Sequence, residues 1–158
     1  MDVIIDDINR VIYLLAEHKK SVSHLYSNYA VKFPDHPYWH ELAKSKEKHQ
    51  QVIQSIYFDA KDKNLAIDES VFRSIAIKTS LDWVNRLIEE YVKHTLINAL
   101  SYALDLEQAK IEQRYFDIFK TGSPGIQQIL PGLAQESQQH IDLLRRELRK
   151  IRADEPIA

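Results

Sequence analysis

The sequence predicts an all-α protein, a four-helix bundle with a long connection between its second and third helices. Three observations carry this expectation. Four segments repeat apolar residues at steps of three or four, the spacing that puts side chains on one face of a helix. The glycines and prolines, only 3 and 5 in 158 residues, fall mostly where those repeats stop. No stretch alternates apolar and polar residues as a half-buried strand would.

The first stripe runs Ile8, Ile12, Leu15, Lys19, Val22, Tyr26, Tyr29, Phe33 and gives a helix over about 4–33. Phe33-Pro34-Asp35-His36-Pro37 ends it, because proline cannot donate within a helix and biases its predecessor away from helical angles. So short a break implies an antiparallel pair. The second stripe, Trp39, Leu42, Lys46, His49, Ile53, Ile56, Ala60, gives a helix over about 36–60.

Residues 61–78 are expected to form the crossover. Lys61-Asp62-Lys63-Asn64 is polar, whereas Val71, Phe72, Ile75 and Ile77 suit packing on the bundle, with room for a short helical turn after Asp68. Thr79 or Ser80 is a good N-cap for the third helix, with Asp82 in its first turn. Its stripe is Ile97, Leu100, Leu104, Glu107, Ile111, Tyr115, Ile118, so one long helix to Phe119 is expected. Thr121-Gly122-Ser123-Pro124-Gly125 closes it. The fourth helix occupies 125–152 on the stripe Leu130, Leu133, Ser137, His140, Leu144, Leu148, Ile151, and Pro131-Gly132 is where it would kink or restart. Arg145, Arg146, Arg149, Lys150 and Arg152 crowd its last turns, where cations complement the helix dipole on a solvated end. The two halves share one pattern, a long helix followed by one with a polar residue three before a histidine, which hints at an internal two-fold repeat.

Composition narrows the function classes. With 44% hydrophobic and 28% charged residues, the chain has the make-up of one globular domain, 1–158. Twenty-one basic against 23 acidic residues, a formal charge of -2, provide no overall field for nucleic acid or an anionic membrane. The absence of cysteine removes disulfides, thiolate nucleophiles and iron–sulfur clusters, and fits a cytoplasmic location. The acidic start lacks the form of a signal peptide, and no apolar run reaches the roughly 20 residues that span a bilayer.

Each stripe is interrupted near its middle by polar residues that face the same interior: Lys19, then Lys46 and His49, then Glu107, then Ser137 and His140. Polar groups aimed at one core destabilise it unless they satisfy one another or hold something, so the functional site is expected there. Lys46-Glu47-Lys48-His49 and Ser137-Gln138-Gln139-His140 each set two side chains one turn apart, in the slots that Glu-x-x-His fills in a di-iron carboxylate bundle. Around them stand Leu25-Tyr26-Ser27-Asn28-Tyr29-Ala30 and Phe33-Pro34, Trp39-His40-Glu41-Leu42-Ala43, Ala99 through Glu107, and Leu133-Ala134-Gln135-Glu136.

On these residues the chain resembles the rubrerythrin-like branch of the ferritin-like superfamily over nearly all its length. The resemblance implies a ferritin-like fold and puts the six ligand positions at Lys19, Lys46, His49, Glu107, Ser137 and His140. Two of the carboxylates it implies are lysines here and a third is serine, so two metal ions would face two ammonium groups with one carboxylate between them. The di-iron site is therefore expected to be degenerate, without oxidase, peroxidase or iron-storage chemistry.

Two arrangements stay open. In one, no cofactor is bound, and Lys19 and Lys46 pair with Glu107 while His49, His140 and Ser137 complete a hydrogen-bonded network. Two ammonium groups on one carboxylate leave excess charge, which should lower one lysine pKa or draw in water or another acid; such a lysine could act as a base or imine former. In the other, Glu107, His49 and His140, with Glu136 swung inward, form a reduced site for zinc, iron or manganese. The first arrangement makes the protein a non-catalytic structural or interaction protein, as a homodimer or with another protein, including as a regulatory partner of another bundle. The second makes it a metal-binding oxidoreductase. Tyr26, Tyr29, Tyr102 and Tyr115 read as core packing, as do Trp39 and Trp83 near helix starts, and His18, His24, His36, His40 and His94 form no metal-binding pattern.

Overall fold

The apolar stripes dictate helix, and the described residues adopt it almost throughout. The computed structural model describes residues 2–60, 66–67, 73–114, 117–120 and 124–154. In order these form α1 (Asp2–Lys32), α2 (Tyr38–Ala60), β1 (Ala66–Ile67), α3 (Ser74–Glu90), a 3₁₀ turn (Tyr91–Lys93), α4 (Leu96–Gln108), α5 (Lys110–Arg114), β2 (Phe119–Lys120) and α6 (Pro124–Asp154). β1 pairs antiparallel with β2, Ala66 opposite Lys120 and Ile67 opposite Phe119. Two-residue strands are too short to leave an alternating pattern, which is why the sequence does not announce them. Val71, Phe72, Tyr115 and the 121–123 segment, all used in the sequence reading, lie outside the described residues. No helix among the described residues is long and apolar enough to cross a membrane.

The first, second and last helices have the expected bounds to within a few residues. Pro131 does not break α6. It lies on the exposed side of the helix, away from the core face that Leu133 presents.

The single long third helix is not what forms, and the structure corrects it at both ends. Helix begins earlier, at Ser74, inside the stretch expected to be crossover, so that Trp83 sits mid-helix. It then turns a corner at 91–95. Thr95 caps α4 reciprocally: its hydroxyl accepts from the Asn98 N–H at 3.1 Å, and the Asn98 side chain accepts from the Thr95 N–H at 3.1 Å. This capping box satisfies two otherwise orphaned donors and fixes a new helix start. The far side of the corner is held by Lys32, whose ammonium donates to the carbonyls of Tyr91 at 3.0 Å and Val92 at 2.6 Å, and to that of His94. A second break falls at Ala109, which is extended (φ -63, ψ 145) and accepts the first bonds of α5 from Glu112 and Gln113.

The core lies in two apolar clusters. One gathers Val11, Ile12, Leu15, Ile53, Ile56, Ile77, Ile111, Ile118 and Leu133. The other gathers Val22, Tyr26, Tyr29, Trp39, Leu42, Val84, Leu87, Ala99, Leu100, Leu106, Leu144 and Leu148. α1, α3 and α6 pass from the first cluster to the second, while α2 and the α4–α5 segment pass from the second to the first. α1 packs on α2 and α3, and α6 on α4, α5 and α2. Between the clusters lies a layer of buried polar side chains.

Lys32→Met keeps the aliphatic stem and removes the cation that holds three carbonyls of the corner. Hydrogen bonds from a charged donor carry about 1.5–3 kcal/mol net, so urea unfolding should show a loss of about 2 kcal/mol. A change within about 0.5 kcal/mol, the norm for surface substitutions, would mean that water already serves those carbonyls.

Candidate functional site

The polar layer is built where four stripes cross. Lys19, Lys46, His49 and Glu107 are each 0% exposed, Ser137 is 2% and His140 14% exposed, so five of the six sequence-predicted residues are buried outright and the sixth is nearly so. Lys46 Nζ lies 2.7 Å from Glu107 Oε2. Glu107 Oε1 accepts from the Tyr26 hydroxyl at 3.3 Å and stands 3.5 Å from His140 Nδ1. Ser137 takes no part: its buried hydroxyl has no hydrogen-bond partner among the described residues.

The residue at the centre is none of the six stripe positions. Glu112, 2% exposed, accepts Lys46 on one carboxylate oxygen and Lys19 on the other. Lys19 therefore pairs with Glu112, and the count of two ammonium groups against one carboxylate is corrected to two against two. The break at Ala109 makes this possible. In one unbroken helix, residue 112 would stand about 140° around the axis from residue 107, at about 100° per residue. The extended step at Ala109 restarts the helix with Glu112 turned to the same interior as Glu107.

Glu136, four before His140, reaches inward as the sequence allowed, and its Oε2 lies 2.9 Å from His49 Nε2. Its side chain is 30% exposed, so the layer meets solvent on the α6 side. Glu47, two residues from His49, is exposed. His49 and His140 stack at 6.4 Å between ring centroids. Two histidines that showed no pattern also prove buried: His18 Nε2 bonds the Ser80 hydroxyl at 2.8 Å, and His94 Nδ1 bonds the Tyr29 hydroxyl at 2.7 Å. Both join α1 to the α3 segment or the corner after it, and His18 lies close enough to the layer to feel the charge of Glu112.

The electrostatics follow from burial against pairing. Burial pushes Glu112 up, but Lys19 and Lys46 outweigh it and hold the carboxyl well below the usual range. Glu107 is likewise held below its ordinary value by Lys46 against the effect of burial. Burial pulls Lys46 down, yet two carboxylates more than offset it and keep its pKa above that of a free lysine. Lys19 is different: burial, with Lys46 beside it, brings it down to about 8 despite Glu112. Burial also lowers His18 and His49 from 6.5 to about 4, so both are neutral at pH 7.

A pair of metal ions does not fit these residues. The ammonium groups of Lys19 and Lys46 stand between the carboxylates that would have to bridge the ions, and both oxygens of Glu112 are taken by them. Of the reduced set, Glu107 is committed to Lys46 and Tyr26, and His49 to Glu136. Among the described residues, no group of three or more His, Asp or Glu side chains is placed to hold an ion. Comparison with protein-family models, curated proteins and solved structures finds no match to this chain.

Removing Glu112 orphans Lys19 and half of Lys46's pairing. Glu112→Ala should destabilise the protein by about 3–5 kcal/mol in denaturant unfolding, the penalty for an uncompensated buried charge. A loss under about 1 kcal/mol, the worth of an exposed pair, would place Glu112 at the surface.

Acid should also destabilise the fold, with a sign set by the histidines. Unfolded His18 and His49 bind protons near pH 6.5, while the folded ones wait until about 4. The unfolded state thus holds more protons across that window, and stability falls as pH drops through it. Each histidine contributes at most about 1.4 kcal/mol per pH unit, and His49→Gln should remove its share of the slope. Below pH 4.5 Glu107 and Glu112, whose folded pKa values are depressed, add to the loss. Urea unfolding at a series of pH values measures this, and a flat profile between pH 6.5 and 4 would show that neither histidine is buried as the neutral base.

Proposed function

We propose that this protein is a rubrerythrin-like member of the ferritin-like superfamily that has exchanged its di-iron centre for lysine–glutamate ion pairs and serves as a non-catalytic structural or interaction protein. In this reading α1, α2, the α4–α5 segment and α6 are the four helices of a ferritin-like bundle, and α3 is the crossover that returns the chain from the end of α2 to the start of α4. The observation that carries it is the position of Lys46, whose ammonium bridges Glu107 and Glu112 as an ion would. Lys19 on the second Glu112 oxygen stands for the other ion. Side-chain cations thus neutralise the inward carboxylates, and the chain needs no metal to avoid orphaned buried charge.

The run of residues lining the layer supports the same correspondence. α1 gives Lys19, α2 gives Lys46 and His49 one turn apart, the α4–α5 segment gives Glu107 and adds Glu112, and α6 gives His140 with Glu136 one residue before the position of Ser137. Di-iron bundles draw one glutamate from each of two helices and a glutamate with a histidine from each of the other two. A protein with this layer keeps the architecture while lacking a redox group. Tyr13, Val31, Ile75 and Val92, exposed along α1, α3 and the turn after it, supply apolar surface for contacts with a second copy or another protein.

Metal analysis tests the reading. Wild-type protein produced in iron-supplemented medium and purified without chelator should hold less than one equivalent of iron and show no ferroxidase or peroxidase turnover. The double variant Lys19→Glu, Lys46→Glu converts both ammonium groups to carboxylates beside Glu107, Glu112, Glu136 and two histidines, and should acquire iron. Two tightly bound equivalents in the wild type would overturn the exchange of metal for lysine. A folded double variant that gains none would overturn the correspondence of positions.

A further inference from the structure

The two lysines do not share Glu112 in equivalent ways. Lys19 Nζ contacts Oε2 and Lys46 Nζ contacts Oε1. Lys46 is in turn 2.7 Å from Glu107 Oε2. An amine nitrogen therefore stands against a carboxyl group whose other oxygen carries a fixed cation, and a second carboxylate holds that cation in place. All four side chains are removed from water, at 0% exposure for Lys19, Lys46 and Glu107 and 2% for Glu112. A nucleophile, an electrophile, a stabiliser for developing negative charge and a dry surrounding are the parts that amide formation requires. We propose that Lys19 and Glu112 condense to an intramolecular isopeptide bond that ties α1 to α5.

The chemistry balances without an added reactant. A proton passes from the Lys19 ammonium to Glu112 Oε2, against the pairing that holds this carboxyl ionised, and gives a transient neutral amine and neutral acid. The Nζ lone pair then attacks Cδ, and the carbonyl electrons move to Oε1, where the Lys46 ammonium stabilises them. The C–N bond forms and the C–Oε2 bond breaks. Oε2 leaves as water, carrying two of the three ammonium protons, and nothing is oxidised or reduced. Glu107 is a positioning residue: it keeps Lys46 charged and directed at Oε1.

Two further observations favour this pair over its neighbours. Lys46 lies between two carboxylates and is held in its charged form, whereas burial makes Lys19 the readier of the two to release a proton. Condensation of Lys19 with Glu112 leaves Lys46 and Glu107 as one matched ion pair, so no buried charge is orphaned. Holding two groups in contact also replaces an encounter in solution with effective molarities of about 10⁵–10⁸ M. The bond rests on the geometry of the layer and not on the ferritin-like correspondence, so iron content and chain mass are read independently.

Intact mass under denaturing conditions decides the matter. The full-length chain, incubated at neutral pH in a sample whose circular dichroism is helical, should weigh one water less than its sequence. Proteolysis should then yield a single branched peptide that joins position 19 to position 112. Glu112→Ala and Lys19→Met should both return the sequence mass. Lys46→Met keeps the nucleophile and the acid but removes the stabilising cation, so the water should be lost about 100-fold more slowly. A folded wild-type chain that keeps its full sequence mass overturns the proposal, and so does a branch through Lys46 or Glu107.

Discussion

The structure depends on charge neutrality within one thin layer. Two ammonium groups and two carboxylates lie where two apolar clusters meet, and none of the four is more than 2% exposed. An unpaired charge at that depth is worth several kcal/mol against the fold, a large share of the 5–15 kcal/mol that typically separates folded from unfolded chains. Each helix that contributes to the layer must therefore place its polar residue at the same height. α1 does so between Leu15 and Val22, α2 between Leu42 and Ile53, and α6 between Leu133 and Leu144. The apolar clusters supply the drive to associate, and the layer sets the register in which association is allowed.

That requirement explains the interruption of the third stripe. The α4 helix presents Glu107 correctly, but one carboxylate cannot neutralise both Lys19 and Lys46. An uninterrupted helix would bring Ile111 to the same face and point residue 112 away. The extended residue at Ala109 breaks the ladder and turns a second glutamate inward, while Ile111 still reaches the lower cluster. The break sacrifices helical hydrogen bonds, a loss of about 1 kcal/mol each, and avoids the greater penalty of an orphaned ammonium.

The legibility of the molecule follows the same division. Unbroken stripes were readable, since Lys19, Lys46, His49, Glu107, Ser137 and His140 could be assigned to interior faces from spacing alone. Glu112 was not, because its inward direction depends on a backbone step that periodicity cannot see. The pairing of Glu136 with His49 was legible only as an option, since one residue of rotation separates it from Ser137 on α6. The corner at 91–95 did leave a signal in Thr95 and Asn98, three apart as a capping box requires, but apolar periodicity on both sides hid it. Lys32 left none, because its partners are carbonyls some sixty positions away.

A layer of ion pairs is not the most stable way to fill this volume. Apolar residues of matching size would avoid the desolvation of four charges and often leave a fold as stable or more so. They would also accept other registers, since a leucine in place of Lys46 packs equally well one turn higher or lower. The lysine–glutamate layer penalises each such slip by separating charges that have no alternative partner. Its physical role is therefore discrimination between packings rather than added stability. That role explains why neutrality is maintained down to the helical break that brings in Glu112.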